Sequence, residues 1–350
     1  MVNPLRSYGT RLRKLIGRSG PDFFSEAVET WQEAPGEELP FHPALALSGQ
    51  IDRIRSSIFA SLPETIEALT RDGTASEGPT MGWRFRNVDL VDGVLYGRGA
   101  EMHLRARQNR LGLAFRPRQS ASGALYETWT TNRWFGSWLM DELLTWPLAQ
   151  ATGAAFRTGA APQLGGHAAR YEEILGVVPR RIQGDVHFDE LILFGDLANN
   201  RGKWTRQRQL REKLLQGRQL TSVPGVFLLR GTGGDLRLLL NERQLAERLA
   251  AERGFLVLDP MVSTVDEIVA ACGAAKAIVG VEGSQLVHGI ISAPAGAAIV
   301  PIQPPDRVAA TLKQISDRLD QRFGLLVAEG HETAFTLDWK DLAATLDLFS

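Results

Sequence analysis

The second half of the chain alternates short apolar runs with longer polar segments, and this pattern most constrains the fold. The runs "GVFLLR", "FLVLDP", "AIVGV", "AAIVPI" and "LLVAEG" are too short for helices and rich in branched residues, which predicts buried strands. Between them the sequence predicts helices over 241–253, from 263 to an end near 273–276, and from about 306 to 322. Alternating strands and helices predict βαβ units, a Rossmann-like parallel sheet, and ligands bound beyond the carboxyl ends of its strands.

Two polar pairs mark where predicted helices begin. Asn241 with Gln244, and Ser263 with Asp266, have the spacing of N-terminal capping pairs.

The first half is less regular. Alternating apolar residues on either side of Asp92-Gly93 predict a hairpin-rich start. Further along, the sequence predicts an apolar helix, a strand and a basic helix, over 132–150, 188–195 and 202–218. The connection "QLTSVPG" (219–225) contains Pro and Gly and follows the basic helix. Because 350 residues exceed what one core usually serves, we expect two domains, 1–220 and 221–338, divided at this connection.

Composition excludes several classes of protein. With 44% apolar and 23% charged residues and a net charge of -1, the chain is an ordinary globular protein without bulk attraction for nucleic acid. The single cysteine, Cys272, cannot form an internal disulfide and is interpreted as a buried packing residue in a reducing compartment. No apolar run is long enough for a membrane span, so we expect a cytoplasmic protein. The basic stretch at 6–18, within a leader of about 1–40, is either solvated or a peripheral contact with the inner membrane face.

The third predicted strand ends on Glu282-Gly283-Ser284, where a helix begins. The unpaired N–H groups and dipole of a helix start favour an anion, and glycine permits close approach, so this turn can seat a phosphate. The alternative is a plain turn glycine followed by an N-cap serine. Arg230 and Arg237, around a neighbouring strand end, favour the phosphate interpretation, although Arg237 could instead pair with Glu242 at the surface.

The segment "LLRGTGGDLRLLLNERQL", followed by "GFLVLDPMVSTVDEIVAACGAAKAIVGVEGSQLVHGIISAPAGAAIVPIQPP", resembles the C-terminal region of glycosyltransferase family 61. This family occurs in bacterial capsule and lipopolysaccharide loci and among eukaryotic xylosyl- and N-acetylglucosaminyltransferases. Upstream, "WFGSWLMDEL" is similar to the family's aromatic-rich helix. The chain departs from the family at Glu282-Gly283-Ser284, where relatives have His-Gly-Ala, at His288, where they have Asn, and at Ser137, where they have His.

The resemblance implies an α/β fold of GT-B type, with two Rossmann-like domains facing each other across a cleft. Residues 1–220 would bind the acceptor, residues 221–338 the nucleotide sugar, and a last helix within 339–350 would pack back on the first domain. The implied activity is inverting hexosyl or pentosyl transfer from a nucleotide sugar, UDP-linked by expectation, to a saccharide acceptor in surface polysaccharide synthesis. No cofactor or metal is expected, and the chain contains no Asp-x-Asp triplet.

The base in such a reaction takes the proton of the acceptor hydroxyl. Asp141 matches the family's helix carboxylate and is the first candidate, with burial beside Trp134, Phe135 and Trp138 expected to raise its pKa. Glu142 should lie on another face of the helix, about 100° round. Glu282 and His288 are the reserve candidates. The residues expected to hold the diphosphate are Arg230, Arg237, Gly283, Ser284 and Gln285.

Two alternatives stay open from the sequence. The stretch "DVHFDE" places Asp185, His187 and Asp189 on one face of a predicted strand, a spacing that suits a metal ion. The replaced motif residues also fit a non-catalytic relative that binds a saccharide or nucleotide without turnover.

Overall fold

The computed structural model of the protein describes residues 22–108, 117, 119–159, 166–231 and 237–350. The basic stretch at 6–18 and residues 232–236 of the segment after Arg230 lie outside the described residues. The strands are β1 (Glu29–Ala34), β2 (Glu37–Phe41), β3 (Leu45–Ala46), β4 (Gly73–Glu77), β5 (Thr80–Val91), β6 (Val94–Tyr96), β7 (Glu101–His103), β8 (Gln119–Leu125), β9 (Ala155–Thr158), β10 (Arg180–Ile182), β11 (Val186–Gly195), β12 (Val226–Leu228), β13 (Leu256–Leu258), β14 (Ala277–Val281), β15 (Ala298–Gln303), β16 (Arg322–Val327), β17 (Glu329–His331) and β18 (Ala334–Thr336).

The helical elements begin with a short 3-10 helix, Phe23–Glu26. They continue as α1 (Leu62–Thr70), α2 (Phe135–Ser137), a π-helical turn (Trp138–Glu142), α3 (Leu143–Ala151), α4 (His167–Leu175), α5 (Arg201–Leu215), α6 (Glu242–Arg253), α7 (Val265–Cys272), α8 (Ser284–Ser292), α9 (Thr311–Asp317) and α10 (Trp339–Asp347).

The chain forms two compact units. The first unit consists of the described residues of Met1–Glu37 and Gly78–Lys203, and the second unit of Glu38–Glu77 and Trp204–Ser350. The change between units therefore falls within α5, upstream of the connection at 219–225 where the sequence places a boundary. Residues 38–77 belong to the second unit through pairings between segments that are distant in the sequence, such as β3 with β16.

The first unit contains a mixed sheet. Its path runs β10-β9-β8-β11-β5-β6-β7, with β1 also paired to β5. The strands β10, β9, β8 and β11 are parallel to their neighbours, whereas β11 to β5 and the meander β5-β6-β7 are antiparallel. Asp92 and Gly93 join β5 to β6 with φ of 46° and 75°, which confirms the predicted hairpin turn. This sheet thus combines the predicted hairpins with a parallel half.

The second unit contains a parallel sheet in the order β13-β12-β14-β15-β16-β3. Phe227, Val279 and Val300 of its strands pack with Leu245 of α6 in one buried cluster, as expected for a sheet covered by helices. The strands predicted over this half are present, and β14 coincides with the run "AIVGV". The predicted α/β class is confirmed.

Three helix predictions in this unit need correction. Asn241 precedes α6 without capping it, because its side chain bonds the backbone of Leu337. The box that caps α7 is formed by Thr264 and Glu267, one position after the predicted pair. The helix predicted over 306–322 is shorter in the structure, where only α9 is helical. The chain before α9 pairs instead with an earlier segment, since Val308 N donates to Ser56 O over 3.1 Å.

The last helix, α10, contributes Leu342 and Leu346 to the core of the second unit. The predicted contact of this helix with the first domain stays a prediction. Cys272 is fully buried, and burial raises the pKa of its thiol, which confirms a packing role for this residue. No helix in the described part of the chain combines the length and the apolar character that a membrane span needs.

Candidate functional site

The carboxyl end of β12 leads into a turn that Glu242 fixes. Glu242, the first residue of α6, accepts hydrogen bonds from the backbone N–H groups of Arg230 and Gly231 at 2.8 and 2.9 Å. Burial raises the pKa of this carboxyl above its ordinary value, and the two N–H donors oppose the shift. The turn that carries Arg230 is therefore anchored to the start of the next helix.

The Arg230 side chain lies against the Gly283 turn. Its Nη1 donates to Gln285 Oε1 over 3.1 Å, and the arginine is only 8% exposed. A Cβ at position 283 would overlap both Arg230 Nη1 and Gln285 Oε1, so the close approach requires glycine. Ser284 follows as the half-buried first residue of α8. The structure thus brings Arg230 to the turn formed by Gly283, Ser284 and Gln285. The role of these residues in holding a diphosphate stays a prediction.

Glu282 lies between two arginines. Arg237 Nη1 donates to the Glu282 main-chain O at 2.9 Å and also to its carboxylate. Arg307 Nη1 donates to Glu282 Oε2 over 3.1 Å. All three side chains are buried, with 6–8% exposure of the residues. The alternative of a surface pair between Arg237 and Glu242 is wrong, because Arg237 turns towards the end of β14.

Arg307 is a further residue of this site, and the sequence did not single it out. It follows the carboxyl end of β15 as Arg230 follows that of β12, and this repeated position was the available signal. Its guanidinium lies 5.8 Å from the ring centre of Phe59, and its Nε lies 3.6 Å from Glu332 Oε2. His288, by contrast, is buried within α8 at 3% exposure, and its proposed role stays a prediction.

Asp141 lies in the first unit, on the π-helical turn that interrupts the apolar helix. Single π-turns within helices are frequent at functional sites. Lys203 Nζ donates to Asp141 Oδ1 over 2.7 Å and also to the main-chain O of Asp196. Lys203 is a second residue that the sequence did not single out, since it belongs to a helix interpreted only as basic. The expected aromatic neighbour Trp138 is fully buried and packs near Phe135.

Glu142 belongs to a separate buried group. Its Oε1 accepts from Arg157 Nε over 2.5 Å, and both side chains are almost completely buried. Burial raises the pKa of Glu142 to about 7, Arg157 opposes the shift, and the charge of Glu127 adds to it. Because Asp141 pairs with Lys203 and Glu142 with Arg157, the prediction that the two carboxylates occupy different faces is confirmed.

The segment "DVHFDE" makes contacts that serve the sheet. His187 Nδ1 lies 2.6 Å from Asp89 Oδ1 on the neighbouring strand β5. Asp185 accepts from the backbone N–H of Asp92 over 3.0 Å. Within the described ranges, no group of three or more His, Cys, Asp or Glu residues has an arrangement that could hold a metal ion.

The model of the family described as Glycosyltransferase 61 matches residues 124–300, just over half of the 350 residues. The chain belongs to glycosyltransferase family 61. The matched segment includes Asp141, Arg230, Arg237 and the Glu282-Gly283-Ser284 turn, whereas Arg307 lies beyond it. A comparison with curated proteins gives no match. Membership makes the protein a glycosyltransferase, an enzyme with a sugar donor and an acceptor.

Proposed function

We propose that the protein is an inverting glycosyltransferase that moves a sugar from a nucleoside diphosphate donor to a saccharide acceptor in surface polysaccharide synthesis. The observation that carries the proposal is the group of buried arginines at the carboxyl edge of the parallel sheet in the second unit. Arg230, Arg237 and Arg307 surround the Gly283 turn, where α8 begins. Ligands of open parallel sheets bind at this edge.

The leaving group gives these arginines a chemical role. As the bond to the anomeric carbon breaks, the nucleoside diphosphate gains negative charge, which fixed donors and dipoles stabilise best. Arginine binds phosphate oxygens through two parallel N–H donors, and the N–H groups at the start of α8 add to the attraction. We propose that Arg230, Arg237, Gly283, Ser284 and Gln285 hold the diphosphate and that no divalent cation is required.

Asp141 is our proposed general base. In an inverting transfer a single in-line displacement occurs, and a carboxylate on the acceptor side takes the hydroxyl proton. Two features of Asp141 suit this role. Lys203 fixes the position of its carboxylate, and the Asp141 side chain keeps 28% exposure for contact with an acceptor. We propose further that the protein has the GT-B architecture that the resemblance implies.

A two-stage experiment tests the function. Thermal unfolding is recorded in EDTA with a panel of nucleotide sugars, since a ligand that binds the folded state raises the melting temperature. Release of nucleoside diphosphate from the best binder is then measured with and without a panel of saccharide acceptors. We expect one donor to stabilise the protein and an acceptor to accelerate release. Stabilisation without any release would instead support a non-catalytic binding relative, and stabilisation by no nucleotide sugar would refute the proposal.

A further inference from the structure

One buried carboxylate serves two buried guanidiniums at the end of β14. Arg237 and Arg307 both donate to Glu282, and none of the three residues is more than 8% exposed. A carboxylate oxygen of Glu332 also lies 3.6 Å from Arg307 Nε, and the Glu332 side chain is 49% exposed. Glu282 is therefore shared between two buried guanidiniums, each of which has the geometry to donate to the oxygens of a bound anion.

The geometry suits a larger anion than a carboxylate. Two arginines converge on one carboxylate from different sides: Arg237 precedes α6, and Arg307 follows β15. The first N–H groups of α8 begin at Ser284, two residues beyond Glu282. Guanidinium groups and a helix start favour a phosphate, which offers more acceptor oxygens and more charge than Glu282 does.

We propose that Glu282 is an internal counterion that occupies a phosphate site formed by Arg237 and Arg307, and that a phosphate group of the donor displaces it. This inference rests on the proposed function and adds Arg307 to the donor-binding residues. Arg237 keeps a second hydrogen bond, to the Glu282 main-chain O at 2.9 Å, so it stays in place while the carboxylate leaves. Glu282 then sets the affinity for the donor by competing with it.

A purely structural ion pair makes a different prediction. If Glu282 serves only stability, its replacement by glutamine lowers the melting temperature and leaves anion binding unchanged or weaker. If Glu282 competes with phosphate, the same replacement lowers the melting temperature and tightens anion binding. The two roles therefore differ in the sign of the change in affinity.

The test is calorimetric titration with inorganic pyrophosphate in EDTA. Compared with wild type, Glu282→Gln should bind pyrophosphate about tenfold or more tightly, because a charge-assisted competitor is removed. Glu332→Gln is the matched control: it neutralises an exposed carboxylate near Arg307 and should change the affinity by less than about threefold. Adding Arg307→Ala to Glu282→Gln should abolish the gain.

Equal or weaker binding by Glu282→Gln, or a gain that survives removal of Arg307, would overturn the inference. If Glu282→Gln does not fold, Arg307→Gln in the wild-type background takes its place: about tenfold weaker pyrophosphate binding supports the inference, and unchanged binding overturns it. A parallel titration of wild type with uridine diphosphate tests the proposed donor separately from the proposed role of Glu282. Failure of that titration counts against the proposed donor, whereas the pyrophosphate ratio between Glu282→Gln and wild type decides the role of Glu282.

Discussion

Lys203 Nζ and Asp141 Oδ1 lie 2.7 Å apart, although their residues are 62 positions apart in the sequence. The lysine side chain has no exposed surface, whereas the aspartate side chain keeps 28% exposure. The same ammonium group donates to the Asp196 main-chain O, which fixes its position. A carboxylate held from the buried side and open on the other is suited to contact a substrate.

Asp141→Asn should remove sugar transfer and leave donor affinity nearly unchanged. The amide can still accept the hydrogen bond of Lys203, so we expect the fold to persist, but it cannot accept a proton. Turnover should fall by roughly 10²–10⁴-fold, the range typical of general-base removal. Asp189→Asn, at an exposed position of β11, is the control and should keep wild-type turnover. Near wild-type turnover in Asp141→Asn would move the search for the base to Glu282 and His288.

Lys203→Met tests whether the lysine positions Asp141. Methionine fills a similar volume but cannot donate to Asp141 or to the Asp196 carbonyl. We expect the free energy of unfolding to fall by about 1–3 kcal/mol. We also expect kcat to fall while the KM for the donor stays nearly constant. Lys213→Met, at an exposed position of the same helix, should leave both quantities unchanged. A loss of stability with normal kcat would show that Lys203 serves the fold alone.

Gly283→Ala should weaken nucleotide binding. The added methyl group would overlap the Arg230 guanidinium and the Gln285 amide, so one of them has to move. Loss of a well-placed charged donor costs about 1–3 kcal/mol, which corresponds to roughly tenfold or more in the dissociation constant. Gly166→Ala provides the comparison, because a Cβ there meets open space and the backbone is α-helical. Unchanged uridine diphosphate affinity in Gly283→Ala would contradict the described geometry.

Glu142 should make stability depend on pH between about 4.5 and 7. Burial raises its pKa in the folded state from the ordinary 4.5 to about 7, so the folded protein binds this proton more tightly than the unfolded chain does. The resulting stability is fully present below pH 4.5 and is lost as the pH rises through 7. Relative to Glu142→Gln, wild type should lose up to about 3 kcal/mol across this window in urea unfolding. If the stability of wild type relative to Glu142→Gln stays constant or rises with pH, the account is refuted.

Local patterns in the sequence predict much of the fold but only part of the candidate site. The run at 277–281 predicts β14 because it is short, apolar and rich in branched residues, and all five of its residues are buried in the structure. Asp92-Gly93 predicts its turn because both residues tolerate positive φ. The contacts of Arg307 and Lys203 are of another kind. Each depends on a partner that is distant in the sequence and comes close only in the folded chain, Glu282 for Arg307 and Asp141 for Lys203. For the same reason, the local pattern did not indicate that 38–77 belongs to the second unit, where β3 pairs with β16.

The most direct test of the central claim is the titration of uridine diphosphate into wild type and Arg230→Ala in the presence of EDTA. Arg230 lies against the Gly283 turn, so its removal should weaken binding by about tenfold or more without any change in metal dependence. The account predicts that wild type binds the nucleotide in EDTA and that Arg230→Ala binds it more weakly. Binding that appears only when a divalent cation is added, or that is equal in the two proteins, would contradict it.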